Sequence, residues 1–150
     1  MAIQDFSQSL PIMLYKALDG ILPKFRCIFN DYDLTEQQWR ILRVLWEHEK
    51  IALGKLAELT LIPPPSLVGI VDRLLAANLI KRDRSDYDRR VVFILATQKG
   101  KDLESKVMPR VNDIYYEIRE SFTHDQWSQL VRSLEKISLI SKKQQSYEEK

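Results

Sequence analysis

Residues 61–80, LIPPPSLVGIVDRLLAANLI, are the stretch of sequence that decides the fold. Proline is favoured in the first turn of a helix, where its missing amide proton has no partner to lose, so a helix is predicted over residues 65–77. Apolar residues then recur at i, i+3, i+4, i+7 and i+8 and form one buried stripe: Leu67, Ile70, Val71, Leu74 and Leu75. The opposite face carries side chains that are small or donate hydrogen bonds, at Ser66, Gly69 and Arg73. Such a helix can lie close against another surface.

A β-hairpin is predicted directly after this helix. Two extended runs, LIKRDRS and RRVVFILA, are joined by a polar tip at residues 86–88, and the β-branched and aromatic residues 91–94 favour a strand. Within the hairpin, residues 81–90 hold five basic and three acidic side chains. A charge cluster is usually a solvated surface. Its position beside a helix with a free polar face makes it a candidate contact for nucleic acid.

The segments before residue 61 predict two helices, a short strand and a third helix. Residues 9–30 have apolar residues at helical spacing, with Pro23 inside the segment, which predicts a kink or a break. Thr35 and Gln38 have the spacing of a capping box that opens the next helix. Ile51-Ala52 predicts a short strand, and residues 53–60 predict a short helix with Leu56 and Ala57 facing inward.

Two long helices are predicted after the hairpin. Thr97 caps the first, which Pro109 interrupts, and Thr123 caps the second. The second is expected to face inward with its apolar residues: Trp127, Leu130, Val131, Leu134 and Ile137. The whole order predicts a mainly α protein, a winged helix-turn-helix with long N- and C-terminal helices.

Length predicts one globular domain over residues 1–150, and the order of the predicted elements divides it into a lobe at about 35–96 and long helices at about 9–31 and 97–142. The chain is 45% hydrophobic, enough for a core without disulfides. Its one cysteine, Cys27, fits a reducing cytosol. No apolar run approaches the roughly 18 residues of a membrane span, and residues 1–11 lack the basic start of a signal peptide. A cytoplasmic protein without a membrane partner is therefore expected.

The sequence does not predict an enzyme. The two histidines, His48 and His124, lack a partner at metal-ligand spacing, so no metal is expected. The four glycines form no phosphate-binding loop, and no cofactor is predicted. The formal net charge of +2 does not itself indicate nucleic acid, because the charge that matters for binding is local.

The helix over residues 65–77 and the hairpin together predict DNA binding. A helix in the major groove exposes small or hydrogen-bonding side chains, as Ser66, Gly69 and Arg73 do. Arginines near a hairpin tip can enter the minor groove or pair with phosphates; here they are Arg84, Arg89 and Arg90. Asp86 and Asp88 are expected to hold an arginine in one rotamer. A winged helix that binds only protein is the competing interpretation.

Several short motifs, in order, resemble those of the MarR family of bacterial transcriptional regulators. They are LTEQQWRI at 34–41, Phe25-Arg26, Pro65-Ser66-Leu67, Gly69-Ile70, Arg73, Asp88-x-Arg90, and Thr97 with Gly100, where Ala96 stands in place of the family's leucine. The likeness extends over about residues 18–139. Within the family, the chain is similar to regulators of aromatic-acid catabolism such as the repressors of homoprotocatechuate degradation.

The resemblance implies a homodimer formed by the first and last helices, which binds a pseudo-palindromic double-stranded operator and represses transcription. It implies that bases or phosphates face residues of the helix and of the hairpin: Ser66, Leu67, Gly69, Arg73, Arg84, Asp88, Arg89 and Arg90. It also implies a small aromatic acid as effector, bound between the long helices and the lobe. Arg26 and Arg40 are candidates for its carboxylate, and Phe25, Trp39 and Tyr115 for its ring.

Arg26 and the aromatic effector candidates have a structural alternative. Trp39 lies where a core residue is expected, and Arg26 could pair with Asp31, Asp33 or another internal carboxylate. Cys27 raises the alternative of a thiol-based redox sensor. Its neighbours Phe25, Ile28 and Phe29 predict instead that the thiol is buried and inert.

Overall fold

The computed structural model describes residues 5–140, so residues 141 and 142 of the predicted C-terminal segment lie outside the described range. The described chain divides into two compact units on either side of residues 111 and 112. Among residues 5–140, no single helix is long and apolar enough to cross a membrane, and only the bent pair Leu53–Thr60 and Pro64–Ala76 meets that test jointly.

The first unit is a helix-turn-helix followed by an antiparallel hairpin. A 3₁₀ turn at Phe6–Gln8 precedes helices and strands in this order: α1 Leu10–Asp31, α2 Glu36–Glu47, β1 Ile51–Ala52, α3 Leu53–Thr60, α4 Pro64–Ala76, β2 Ile80–Arg84 and β3 Val92–Ala96. The helix α5, Gln98–Glu120, begins here and ends in the second unit, where α6, His124–Ser138, follows. The three strands pair antiparallel in the order β1-β3-β2. The winged helix-turn-helix prediction is confirmed.

The predicted stripe of α4 forms part of the core. Leu67, Ile70, Val71 and Leu74 are buried, and Leu75 is half-buried. Helix α4 contacts α2, α3 and β2, each of which supplies further buried apolar side chains to this core. The back of α4 is therefore fixed, and the face at Ser66, Gly69 and Arg73 is exposed.

The helix caps are as predicted, whereas the proline breaks are not. Thr35 and Thr123 each form a capping box, with Gln38 and Gln126, and Thr97 accepts a hydrogen bond from the Gly100 amide (3.1 Å). Pro23 and Pro109 lie inside the continuous helices α1 and α5. A proline removes its own helical hydrogen bond, but the turns on both sides keep theirs. In α1 the burial of Phe25, Ile28 and Phe29 adds tertiary packing after the proline.

The junction between the hairpin and α5 brings backbones very close together. Leu79 O accepts from the Thr97 amide (3.0 Å), and Thr97 Oγ1 donates to Asn78 O (2.6 Å). Trp46 Nε1 donates to the carbonyl of Gly100 (2.9 Å). A Cβ on Gly100 would overlap the carbonyl oxygen of Leu79. Only glycine fits this junction without a backbone shift.

The apolar stripe of α6 remains partly exposed in the described structure, which corrects the inward orientation expected from its sequence. Leu130, Val131 and Leu134 are 36–43% exposed, and no residue of α6 is fully buried. Trp127 is half-buried, against Phe122 and below the guanidinium of Arg119 (5.4 Å to the ring centroid). Helical periodicity marks a face that is suited to burial, but it does not specify what covers that face.

Candidate nucleic-acid interface

The outer face of α4 is exposed. Ser66, Gly69 and Arg73 are exposed, and a Cβ on Gly69 would meet no atom within 4 Å. Leu67 is 1% exposed and belongs to the core. This corrects the expectation, implied by the family resemblance, that Leu67 faces DNA. It therefore holds α4 in place, and its side chain is not available to DNA in this conformation.

The hairpin of β2 and β3 with its tip, residues 80–96, forms the wing. Ser85 Oγ accepts from the amides of Tyr87 and Asp88 (both 3.3 Å), and Asp88 Oδ1 accepts from the Arg90 amide (2.9 Å). Asp88 thus fixes the backbone of the tip, which corrects the expectation that it holds an arginine side chain. Val91 N bonds to Asp88 O (3.0 Å), so Arg89 and Arg90 lie in the turn and β3 begins at Val92.

Four arginines of the helix and the wing have no partner in the described residues 5–140. The side chains of Arg73, Arg84, Arg89 and Arg90 are exposed and form neither an ion pair nor a hydrogen bond with another of these residues. Exposed cations without an internal partner are free to neutralise phosphates and to release the counterions of DNA.

Arg90 also lines a cleft between the wing and the beginning of α3. The cleft has a volume of about 370 Å³ and is otherwise formed by Ala52, Leu53, Gly54, Val91 and Val92. The sequence singled out Arg90, but it gave no sign of this cleft, because the lining residues are some 40 positions apart along the chain. The pairing of β1 with β3 brings them together.

Arg26 forms its ion pair with Glu36, not with Asp31 or Asp33. Arg26 Nη2 lies 3.2 Å from Glu36 Oε2, and the Arg26 side chain is 52% exposed. Asp31 instead pairs with Arg110 (2.7 Å). Hydrogen bonds with Asp31 and Tyr32 raise the pKa of Arg110 above its ordinary value, so this guanidinium stays charged. The sequence left open whether Arg26 pairs with an internal carboxylate or binds a ligand, and in this structure Glu36 is the carboxylate that it pairs with.

Phe25 and Trp39 are packed in a row of aromatic rings. Phe25 stacks with Phe29, Phe29 with Trp39 (4.7 Å between centroids), and Trp39 meets Trp46 edge to face. Phe25 and Trp39 are each 7% exposed, so the core alternative describes both rings in this conformation. Contact with an effector would require the aromatic row to open.

Arg40 and Tyr115 differ in their surroundings. Arg40 Nη1 donates to the carbonyl of Thr60 at the end of α3 (2.9 Å), which ties α2 to α3. Its Nε is buried and lacks a hydrogen-bond partner among the described residues. Tyr115 lies on α5 in the second unit and is about half exposed. Sequence periodicity could not have found the Arg40–Thr60 bond, since it depends on the crossing of two helices.

Cys27 is exposed, which corrects the prediction that it is buried. Phe25, Ile28 and Phe29 share the core face of α1, and each helical residue is rotated by about 100° from the one before. Cys27 is therefore turned toward solvent although its sequence neighbours are apolar. Apolar neighbours along a helix do not determine the burial of the residue between them.

A helix-turn-helix with an open recognition helix, followed by a wing with unpaired arginines, defines the class of winged-helix DNA-binding proteins. The sequence profile of the MarR family matches residues 34–92. The chain is 33% identical over 137 residues to the homoprotocatechuate degradative operon repressor of Escherichia coli, covering 91% of this chain and 93% of the relative. It is 35% identical over 120 residues to the regulator FarR of Neisseria gonorrhoeae, covering 80% and 82%.

Among solved structures, the crystal structure of NadR in complex with 4-hydroxyphenylacetate superposes with a TM-score of 0.79 at 33% identity. The match covers 93% of this chain and 99% of NadR. The chain belongs to the MarR family, and it is a DNA-binding transcriptional regulator.

Proposed function

We propose that this regulator is a cytoplasmic homodimeric repressor, which binds a pseudo-palindromic operator and is released by a small aromatic carboxylate. The observation that carries the DNA-binding mode is the set of four exposed arginines on α4 and in the wing whose side chains have no partner in the described part of the chain. Helix α4 would enter the major groove with Ser66, Gly69 and Arg73 toward the bases. Arg84, Arg89 and Arg90 would contact phosphates or the minor groove, and Asp88 would hold the tip that presents them.

The exposed stripe of α6 supports the dimer. Leucines and valine at helical spacing remain partly in water in the single chain, and α1 also exposes apolar side chains at Leu10, Met13 and Leu18. Exposed apolar surface of this kind is typical of helices that bury it against a second subunit. We accordingly assign about 9–31 and 97–142 to dimerisation and about 35–96 to the DNA-binding lobe. Two recognition helices would then address half-sites about one turn of DNA apart.

Leu134→Glu is expected to convert the protein from dimer to monomer. A carboxylate in an apolar interface loses hydration without a partner, at a cost of several kcal/mol. Light scattering after size exclusion, at several protein concentrations, measures the mass. Ser133→Glu, on the neighbouring exposed position, is the matched control and should remain dimeric. A dimeric Leu134→Glu protein would place the subunit interface elsewhere.

The effector proposal rests on Arg26 and on the relatives. The E. coli relative is named as a repressor of homoprotocatechuate degradation, and NadR was crystallised with 4-hydroxyphenylacetate. In this chain, Arg26 is half exposed and is held by Glu36 across the gap between α1 and α2. An aromatic carboxylate would compete with Glu36 for Arg26, with Arg40 as a second cation. Phe25 and Trp39 would supply ring contacts once the aromatic row opened.

Release from DNA would then be a shift in population. A ligand that binds one arrangement of α1 and α2 more tightly shifts the dimer toward that arrangement. If the recognition helices no longer match successive major grooves in it, the operator is released. Glu36 is the first residue of α2, next to its cap Thr35, so a change at Arg26 acts at the beginning of the helix that supports the lobe.

The test is a titration of the purified protein against the DNA upstream of its own gene, with and without a panel of hydroxylated aromatic acids. We expect one compound to release the DNA, and Arg26→Ala to require at least about tenfold more of it, since a charge-assisted hydrogen bond is lost. Arg43→Ala is the matched control, because Arg43 pairs with Glu47 in the same way but on one helix. If no compound disturbs binding, the effector proposal fails and the DNA-binding proposal stands.

A further inference from the structure

One arginine of the DNA-binding region differs from the other four. Between residues 73 and 90 there are five arginines, and in the described structure only the side chain of Arg82 has a partner. Its Nη2 lies 2.6 Å from Oδ1 of Asp72. Asp72 belongs to α4 and directly precedes Arg73, whereas Arg82 lies in the middle of β2. This ion pair therefore joins the recognition helix to the wing.

The next residue of β2 makes a second ion pair in another direction. Asp83 Oδ2 lies 3.8 Å from Lys50 Nζ, and this ammonium also stands over the ring of Phe93 (4.8 Å). Successive side chains of a strand point to opposite faces of the sheet. Arg82 thus ties one face of β2 to α4, and Asp83 ties the other face to the residue before β1.

The charge of Asp72 has a further consequence for DNA binding. Asp72 is 57% exposed and neighbours Arg73 on the outer side of α4, where DNA phosphates would approach. An unpaired carboxylate there would repel phosphates. Arg82, itself 44% exposed, neutralises the carboxylate and draws the wing toward the helix at the same time.

We propose that Asp72 and Arg82 are positioning residues, which hold the wing at one angle to α4 so that both elements meet the same DNA half-site. Neither needs to touch the DNA. Two elements that are already in their bound arrangement lose less conformational freedom on binding, and this raises affinity for the operator. Nonspecific DNA, which is bound by loosely placed phosphate contacts, gains much less from a fixed angle.

The stability of the fold should depend little on the pair. Exposed ion pairs contribute little to the free energy of unfolding. Variants at these positions are therefore expected to fold and dimerise normally. A change in operator affinity then reports on the interface.

Asp72→Asn is the decisive variant, because two explanations predict opposite results. If charge alone mattered, removal of a negative charge beside the phosphates would tighten binding. If the pair sets the angle of the wing, Asp72→Asn weakens operator binding by about five- to twentyfold, as expected for coupled neighbouring groups. Arg82→Gln should weaken it by a similar factor. The reversed pair, Asp72→Arg with Arg82→Asp, should recover most of the loss.

The experiment uses the full chain and a duplex that the wild-type protein selects from a random pool, with an unrelated duplex for nonspecific binding. Fluorescence anisotropy at several salt concentrations gives both affinities and the salt slopes. Glu58→Gln is the matched control, because Glu58 forms an exposed pair with Lys55 (3.0 Å) on α3, and its loss should leave the operator preference unchanged.

Two results would overturn the proposal. If Asp72→Asn binds the operator as tightly as the wild-type protein or more tightly, the ion pair only neutralises the charge of Asp72 and does not position the wing. A loss confined to Arg82→Gln, with a smaller salt slope and no rescue by the reversed pair, would make Arg82 a direct phosphate contact. If the wild-type protein selected no duplex, DNA binding itself would fail, and that failure is distinct from either result.

Discussion

Gly100→Ala is expected to destabilise the protein by about 3 kcal/mol or more, at the upper end of what overpacking costs. The added Cβ would overlap the carbonyl oxygen of Leu79, which is backbone and cannot rotate away as a flexible side chain would. That carbonyl also accepts from the Thr97 amide (3.0 Å), and Gly100 O accepts from Trp46 Nε1 (2.9 Å). Relief of the overlap would therefore disturb hydrogen bonds on both sides. A total stability of about 5–15 kcal/mol leaves little margin for such a loss.

Urea denaturation at one fixed protein concentration measures this effect, since the stability of a dimer depends on concentration. Gly69→Ala is the matched control, because a Cβ on Gly69 meets no atom within 4 Å. In a helix interior alanine is preferred to glycine, so Gly69→Ala should gain up to about 1 kcal/mol. Equal stability of Gly100→Ala and wild type would show that the junction of the wing and α5 can relax without cost.

Arg73→Ala and Arg90→Ala are expected to weaken operator binding strongly. A good bidentate contact with a base contributes about 1–3 kcal/mol, and a dimer loses two of them, so Arg73→Ala should raise Kd by at least tenfold. Arg90→Ala removes a cation from the wing in each subunit. If each contacts one phosphate, the slope of log K against log salt should fall by about 2. Neither guanidinium has an internal partner in residues 5–140, so the fold should be unaffected.

Titrations of both variants at several salt concentrations check these expectations. Arg43→Ala removes the same charge from α2, outside α4 and the wing, and should leave affinity and salt slope near those of wild type. The two arginines should also differ from each other, because a base contact changes sequence preference whereas a phosphate contact does not. Unchanged DNA affinity in both variants would favour the interpretation that this winged helix binds only protein.

Local rules sufficed to predict the helices and strands from the sequence. The apolar residues of α4 recur at helical spacing. The threonines at 35, 97 and 123 accept hydrogen bonds from free amides at the beginnings of helices. Both signals involve residues that are only a few positions apart in the sequence. The predicted boundaries differ from the observed ones by one to three residues. The largest difference is at β3, because Arg89 and Arg90 lie in a turn and not in the strand. The predicted helix breaks at Pro23 and Pro109 were wrong. The hydrogen bonds of the helical turns on both sides stabilise each helix by more than the one lost hydrogen bond costs.

The sequence did not determine which partners the charged side chains have, or whether a side chain between apolar neighbours is buried. Arg26 pairs with Glu36 and not with Asp31, and Asp31 pairs with Arg110 of a helix some 80 residues later. Cys27 has apolar neighbours along the chain but lies on the outer side of α1. Asp88 bonds to a backbone amide of its own turn and not to an arginine side chain.

By itself the sequence determined which segments are helix, strand and turn, which face of α4 is apolar, and that arginines cluster in the wing. These properties follow from periodicity and capping, which act over one or two turns of chain. Only the tertiary structure decided that Arg82 is tied to Asp72, that the side chains of Arg73, Arg84, Arg89 and Arg90 have no partner among residues 5–140, and that Gly100 lies against Leu79. The physical reason is that ion pairs and close backbone contacts depend on distances between elements, and those distances are set by how the buried faces pack together.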